Sequence, residues 1–242
     1  MPPILPLPIR EQIQTPVQKK YFNLQLFTRV ADEYDLATRA MSLGQDARWK
    51  HRLLELLPMM ARPRCVDLAC GTGDLTLGLA ERYPDGDILG VDLTGPMLDV
   101  ARRRIPHSHV QFVETDMCRL DVPDQSVDIV TGAYAIRNAP VLDDALTEIH
   151  RILRPGAIAA FLDFSRPAQP LASAAQLALM KFWCGLVSIA VHGRPEHAYI
   201  AESLRQFPDR IALRSRFAES GFSLRRAESF LGGITEILIV QR

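Results

Sequence analysis

The segment Cys65-Val-Asp-Leu-Ala-Cys-Gly-Thr-Gly-Asp-Leu-Thr76 constrains this chain more than any other. An apolar, β-prone run over 64–68 stops at a small-residue turn carrying Gly71 and Gly73. A helical pattern then starts near Leu75. A strand, a tight turn and a helix start in that order form the first unit of a nucleotide-binding α/β fold. Glycine permits the sharp turn and leaves room for a ligand against the backbone.

Three residues narrow the ligand. Thr76 stands where a G-x-G-x-x-G fingerprint would place its third glycine. Asp67, at the end of the first strand, would repel a pyrophosphate and attract an ammonium group. Asp92 closes the next strand and suits a pair of ribose hydroxyls. An amino-acid head joined to a ribose fits better than a dinucleotide, and S-adenosylmethionine (SAM) is the obvious candidate. Thr76 and Asp67 disfavour a dehydrogenase. The bland alternative is an ordinary glycine-rich βα turn, and the two acids in register weigh against it.

A chain of 242 residues, 48% of them hydrophobic, suits one large α/β domain. The formal net charge is zero, with no basic, aromatic-studded face, which argues against nucleic acid. Cys65, Cys70, Cys118 and Cys184 show neither a CxxC nor a Cys/His ligand spacing, so neither a metal site nor a disulfide framework is indicated. Free thiols fit a cytoplasmic protein. The proline-rich start lacks the basic region of a signal peptide. Residues 1–20 read as a flexible arm, and 21–242 as a single domain. The long apolar run Leu171 to Val191 contains Lys181, which argues against a membrane span. It reads as a cap helix over a greasy pocket, with peripheral membrane contact as the second option.

Along the chain, 36–57 reads as helical. Alternating units follow: strand 64–68, helix 74–82, strand 88–91, helix 96–104, strand 110–113, strand 127–133, helix 141–153 and strand 157–163. Repeated βα units imply a parallel sheet covered on both faces. Residues 168–206 look helical. Helix 209–220 leads to strands 223–229 and 234–240, which must pair antiparallel because so little separates them. The expected fold is a class I SAM-methyltransferase, Rossmann-like, with a seven-stranded mostly parallel sheet, an antiparallel terminal hairpin and a helical cap.

From about Phe27 onward the chain resembles the UbiE-like quinone C-methyltransferases of the ubiquinone and menaquinone pathways. The resemblance rests on Tyr34-Asp-Leu36, Met41-Ser-Leu-Gly44, Trp49-Lys50, Asp67-Leu-Ala-Cys-Gly-Thr-Gly-Asp74, Ala135-Ile-Arg-Asn138, Leu153-Arg-Pro-Gly156, Asp163-Phe-Ser-Arg-Pro167, Glu202-Ser-Leu-Arg-Gln-Phe-Pro208 and Gly233-Ile234. It implies that Thr72 and the backbone at Gly71 and Gly73 line the methionine end of SAM. Asp92 would take the ribose hydroxyls. Asp116 and Met117 would flank adenine, with Met97 on the other face and Tyr134 beside the site. Met97 is equally suited to the core, and Asp116 could serve as a helix cap.

Methyl transfer to a phenolic ring carbon needs a lost hydroxyl proton and a stabilised phenolate. Arg137 stays charged and is assigned to phenolate stabilisation, with Asn138 orienting. The competing role for Arg137 is an ion pair with Asp163. Tyr34 touches substrate or packs at the mouth. His192 and His197 have pKa values suited to proton transfer, or are solvated surface histidines. His150 reads as structural. The chain departs from the family at Ala37-Thr38-Arg39, Asp46-Ala47-Arg48, Ala135-Ile136 and around His197 and Tyr199, segments expected to face the acceptor. The expected partner is therefore an aromatic or quinol-like small molecule, with a homodimer as a further option. The alternatives are a small-molecule O-, N- or C-methyltransferase of specialised metabolism, or a SAM-binding enzyme that transfers no methyl.

Overall fold

The computed structural model of the chain describes residues 9–192 and 199–242. Five strands run parallel: β1 (Arg64–Leu68), β2 (Asp87–Asp92), β3 (Val110–Glu114), β4 (Val127–Ala133) and β5 (Leu153–Phe164). β7 (Thr235–Gln241) lies antiparallel to β5 and to β6 (Ser223–Phe230). The sheet order is β3-β2-β1-β4-β5-β7-β6. The helices are α1 (Pro16–Val30), α2 (Tyr34–Met41), α3 (Asp46–Glu55), α4 (Asp74–Arg82), α5 (Gly95–Arg104), α6 (Leu142–Ile152), α7 (Pro170–His192), α8 (Tyr199–Gln206) and α9 (Arg210–Glu219). This is the seven-stranded class I methyltransferase fold expected from the sequence.

Inner strands buried on both faces read as continuous apolar runs. Val66, Leu68, Val130 and Phe161 face one apolar layer with Leu146 and Ile149 of α6. Cys65, Ile129 and Leu162 face the other, with Leu53 of α3 and Leu79 of α4. The strand order reverses between β1 and β4, and a crevice opens there at the carboxyl ends of the strands. The residues that follow these two strands, Ala69 and Tyr134, both adopt left-handed backbone, with φ of 47° and 56°. Such conformations are costly without glycine and concentrate where a site over-determines them.

The arm expected over 1–20 needs correction from Ile9 onward. A 3-10 turn (Ile9–Ile13) leads into α1, and Ile13 is buried. Thr15 caps α1 by accepting from the Gln18 amide, the Gln18 side chain accepts the Thr15 amide in return, and Pro16 starts the helix. Phe22, Leu26 and Val30 then pack on Met97 and Tyr199. Residues 1–8 lie outside the described residues. The helix expected over 36–57 is two helices, because Leu43 and Gly44 take positive φ (54° and 75°) and end α2.

α7 packs on α2 and α8. It is long and apolar enough to cross a membrane by length and composition. Leu177, Met180, Cys184 and Val187 face inward, whereas Leu171, Leu179, Phe182, Leu186 and Ile189 are exposed. An amphipathic cap helix would show a polar outer face, and here Lys181, paired with Glu202, is the charged residue on an otherwise largely apolar one.

Candidate active site

The glycine turn builds the first half of the crevice. Gly71 has φ of 55°, and nothing lies within 4 Å of where a side chain there would project, so the turn leaves an open cradle. At Gly73, φ of 91° starts α4, and an added Cβ would come within 2.7 Å of Ile105. One glycine clears space for a ligand, and the other lets α5 approach.

Acidic groups surround this cradle. Asp92 accepts from the amides of Gly71 and Thr94, both at 2.9 Å. Asp67 accepts from the hydroxyls of Thr76 (2.7 Å) and Thr131 (2.8 Å) and is 1% exposed. Burial pushes both carboxyls above the usual range, Asp67 to about 6, although their hydrogen bonds oppose it. Asp116 caps its own turn by accepting the Cys118 amide at 3.0 Å and pairs with Lys20 at 2.7 Å. Burial works against its charge, but Lys20 and the amide outweigh it and hold the carboxyl below its usual value. Thr72 donates to Asp35 at 2.6 Å, which ties α2 to the glycine turn. Gly71, Asp92, Thr94, Met97, Asp116 and Met117 line one recess with Lys20, Asn23 and Phe27 of α1. Asp67, Thr72 and Asp74 line a smaller one beside it, and Tyr34 lines both.

The second half is a cavity of about 560 Å³ under α7 and α8. Its walls are apolar, from Phe27, Met41, Phe164, Met180, Trp183 and Ile234 among others. Phe27, Tyr34, Tyr134 and Asn138 line both this cavity and the acidic recess, so the two spaces meet at these four side chains. Arg137 is the only charged side chain among the described residues of the cavity wall. It is 3% exposed and sits in a 3-10 turn (Ile136–Asn138) after β4.

Arg137 takes the ion pair with Asp163 that was its competing role, and it also lies on the cavity wall. Its Nε donates to Asp163 at 3.3 Å, its amide to the same carboxylate at 3.1 Å, and Nη1 to Ser203 and to Asn138 Oδ1. The guanidinium also lies 5.5 Å from the centre of the Phe164 ring. Asp163 stands behind it, pushed upward by burial with Arg137 opposing. Asn138 accepts from the Tyr199 hydroxyl (3.0 Å) and donates to the Tyr134 carbonyl (2.8 Å), which fixes its amide. The Tyr134 hydroxyl donates to Asp46 at 2.7 Å, and Asp46 in turn pairs with Lys50 at 2.6 Å. Burial disfavours the Lys50 charge, yet Asp46 and Asp74 hold its pKa above the ordinary lysine value.

Burial pushes Tyr34 and Tyr199 up to about 12 and Cys184 to about 11. None of these gives up a proton near neutral pH. His197 and the side chain of His192 lie outside the described residues. His150 packs edge-on against Phe222 at 5.3 Å, away from both recesses. Sequence reading missed Lys19, Lys20, Asn23 and Ser203. Their partners lie 66 to 120 residues away along the chain; no local pattern marks the first three, and the Glu202-Ser motif that contains Ser203 does not reveal its partner.

The fold and this two-part site define a SAM-dependent methyltransferase of class I. The SAM-dependent methyltransferase from Mesorhizobium loti shares the fold at a TM-score of 0.59 and 20% identity, with 81% of this chain and 98% of that one covered. The chain belongs to the ubiE/COQ5 methyltransferase family, which matches residues 15–241. A demethylmenaquinone methyltransferase of Thermus thermophilus is 36% identical over 206 residues, 83% of this chain and 92% of its own length. The 2-phytyl-1,4-naphtoquinone methyltransferase of Nostoc punctiforme is 32% identical over 222 residues, 90% of this chain and 96% of its own.

Proposed function

We propose that this chain methylates a ring carbon of a quinol bearing a long apolar tail, of the ubiquinone or menaquinone type. The observation that carries the acceptor is the large apolar cavity with one buried cation, Arg137, on its wall. A quinol head requires one place for a developing negative charge, and its tail requires an apolar path outward. Leu43, Leu179, Phe182 and Leu231 provide that path, since each lines the cavity and is also exposed. The names of the relatives point the same way.

The residues present fit SAM. The open cradle at Gly71 admits it, Asp67 and Asp92 suit its cationic and ribose parts, and Asp116 with Met117 suits adenine. Bound there, SAM supplies an electrophilic methyl on a sulfonium leaving group. The protein has to orient the acceptor and stabilise its phenolate. Asn138, held at both ends of its amide, orients the head. Arg137 holds the phenolate oxygen, and its charge lowers the pKa of the bound hydroxyl. No carboxylate or histidine among the described residues lines the cavity, and His197, the candidate for taking the hydroxyl proton, lies outside them.

Incubation with SAM and demethylmenaquinol, a ubiquinol precursor lacking its ring methyl, or soluble phenols tests this, with product detected by mass. A carbon-linked methyl on a prenylated quinol is the expected result. Turnover confined to soluble phenols would overturn the acceptor and implicate Thr38 and its neighbours as a specificity switch.

The same reading makes α7 a membrane contact. Apart from Lys181 its outer face is apolar, and Leu179 and Phe182 on that face also line the cavity, which gives a tailed quinol a path from bilayer to cavity without crossing water. Burying a Phe or Leu side chain contributes about 1.5–3 kcal/mol each. Phe182→Asp with Leu186→Asp should therefore lower vesicle flotation by at least about tenfold, counting 1.4 kcal/mol per decade. Unchanged flotation would remove the bilayer as the occupant of this face.

A further inference from the structure

Helix α1 grips the catalytic turn at three consecutive carbonyls. The Lys19 ammonium donates to the carbonyls of Arg137 and Ala139, each at 2.8 Å. The Asn23 amide donates to the carbonyl of Asn138 at 2.9 Å. A single 3-10 turn leaves its last carbonyls without partners inside the turn. Here they are bound by side chains from a helix 115 to 120 residues earlier in the chain. The arrangement is unfavourable for Lys19 itself. Burial first, then the Arg137 charge, pull its pKa down to about 8, against Asp163 and Cys118. A half-buried cation set on two neutral oxygens beside another cation is not a packing solution that α1 needs. Its apolar seat on Met97 and Tyr199 already anchors it.

The same helix roofs the donor recess. Lys20, Asn23 and Phe27 line it, and Lys20 pairs with Asp116, the carboxylate set against adenine. Asn23 therefore faces the donor recess and holds the acceptor turn at once.

We infer that Lys19 and Asn23 are positioning residues that aim Arg137 and Asn138 at the acceptor, and that α1 completes the acceptor site only while it lies over the donor. This rests on the methyl transfer proposed above. It couples the two spaces, because the helix that roofs the donor recess also holds the carbonyls of the turn on the acceptor side.

Amide hydrogen exchange, SAM titration calorimetry and steady-state kinetics on wild type, Lys19→Met and Lys19→Arg test it. Saturating SAM should slow exchange over 16–30 and 134–140 together in the wild type. Lys19→Met should speed exchange over 134–140 while β1 and β4 stay protected. Displacing a reacting group by about 1 Å costs on the order of 10²-fold, so kcat should fall by about 10- to 100-fold. The SAM dissociation constant should stay within about threefold, the mark of an interaction that acts on the chemical step. Lys19→Arg keeps the charge and should recover most of kcat.

Three results would overturn the inference. The first is protection by SAM over 16–30 with none over 134–140. The second is a Lys19→Met kcat within about twofold of wild type. The third is a loss of SAM affinity that matches the loss of kcat, which would reduce Lys19 to a packing role. A wild type that methylates no quinol refutes the acceptor alone, and the exchange and calorimetry still decide the role of α1.

Discussion

Arg137→Gln should lower kcat on the quinol by about 10²- to 10³-fold, the range seen when a group that stabilises a developing oxyanion is removed. The single substitution also strips Asp163 of its only ion-pair partner among the described residues, and both groups are buried. Breaking a buried pair from one side costs about 3–5 kcal/mol, so lost activity alone would not separate chemistry from folding. Arg137→Gln with Asp163→Asn makes that separation. Without either charge the site is neutral, although the amides of residues 137 and 164 bind separate oxygens of Asp163 and an asparagine keeps an acceptor for only one of them. Denaturant unfolding should show part of the stability restored, while kcat stays low. Recovery of kcat in the double variant would mean that Arg137 serves only to neutralise Asp163.

The parts of this fold that were legible in the sequence are those set by local chemistry. Helix 74–82 and strand 127–133 appear with the expected bounds, because a glycine turn starts one and a β-branched run fills the other. The acids Asp67 and Asp92 stand at the ends of β1 and β2 for the same reason. α1 was hidden by composition. The prolines at the start of the chain suggested an arm, although Thr15-Pro16 with Gln18 is a capping signal and Phe22, Leu26 and Val30 keep helical spacing. The break at Leu43 was also missed, since a leucine at positive φ carries no sequence mark and only Gly44 hinted at it. The meeting of donor and acceptor spaces at Phe27, Tyr34, Tyr134 and Asn138 depends on three separate segments. Their juxtaposition is a product of topology, which no window of sequence contains.

Asp67→Asn should weaken SAM binding by at least about tenfold, or 1.4 kcal/mol, and leave the protein as stable or more stable above pH 7. Asp67 is a buried carboxylate whose oxygens, among the described residues, accept two threonine hydroxyls, with Lys50 acting from farther away. Its pKa of about 6 lies above that of an unfolded aspartate. Below about pH 4 the group is protonated in both states and adds no penalty. Between about 4 and 6 the unfolded chain releases its proton first, so stability falls as pH rises. Above that window the fold carries the whole burial penalty, on the order of 3 kcal/mol. An asparagine keeps one acceptor for a threonine hydroxyl and offers a donor to the other, so the packing survives and the penalty goes. A protein that tolerates such a penalty beside the open cradle at Gly71 gains by attracting a cation there. Titration calorimetry across pH checks the assignment. Wild-type affinity for SAM should weaken as pH falls through about 6, where Asp67 takes up its proton, and the asparagine variant should lack that step. Equal SAM affinity in the two proteins at pH 8 would show that Asp67 holds the strand end and nothing more.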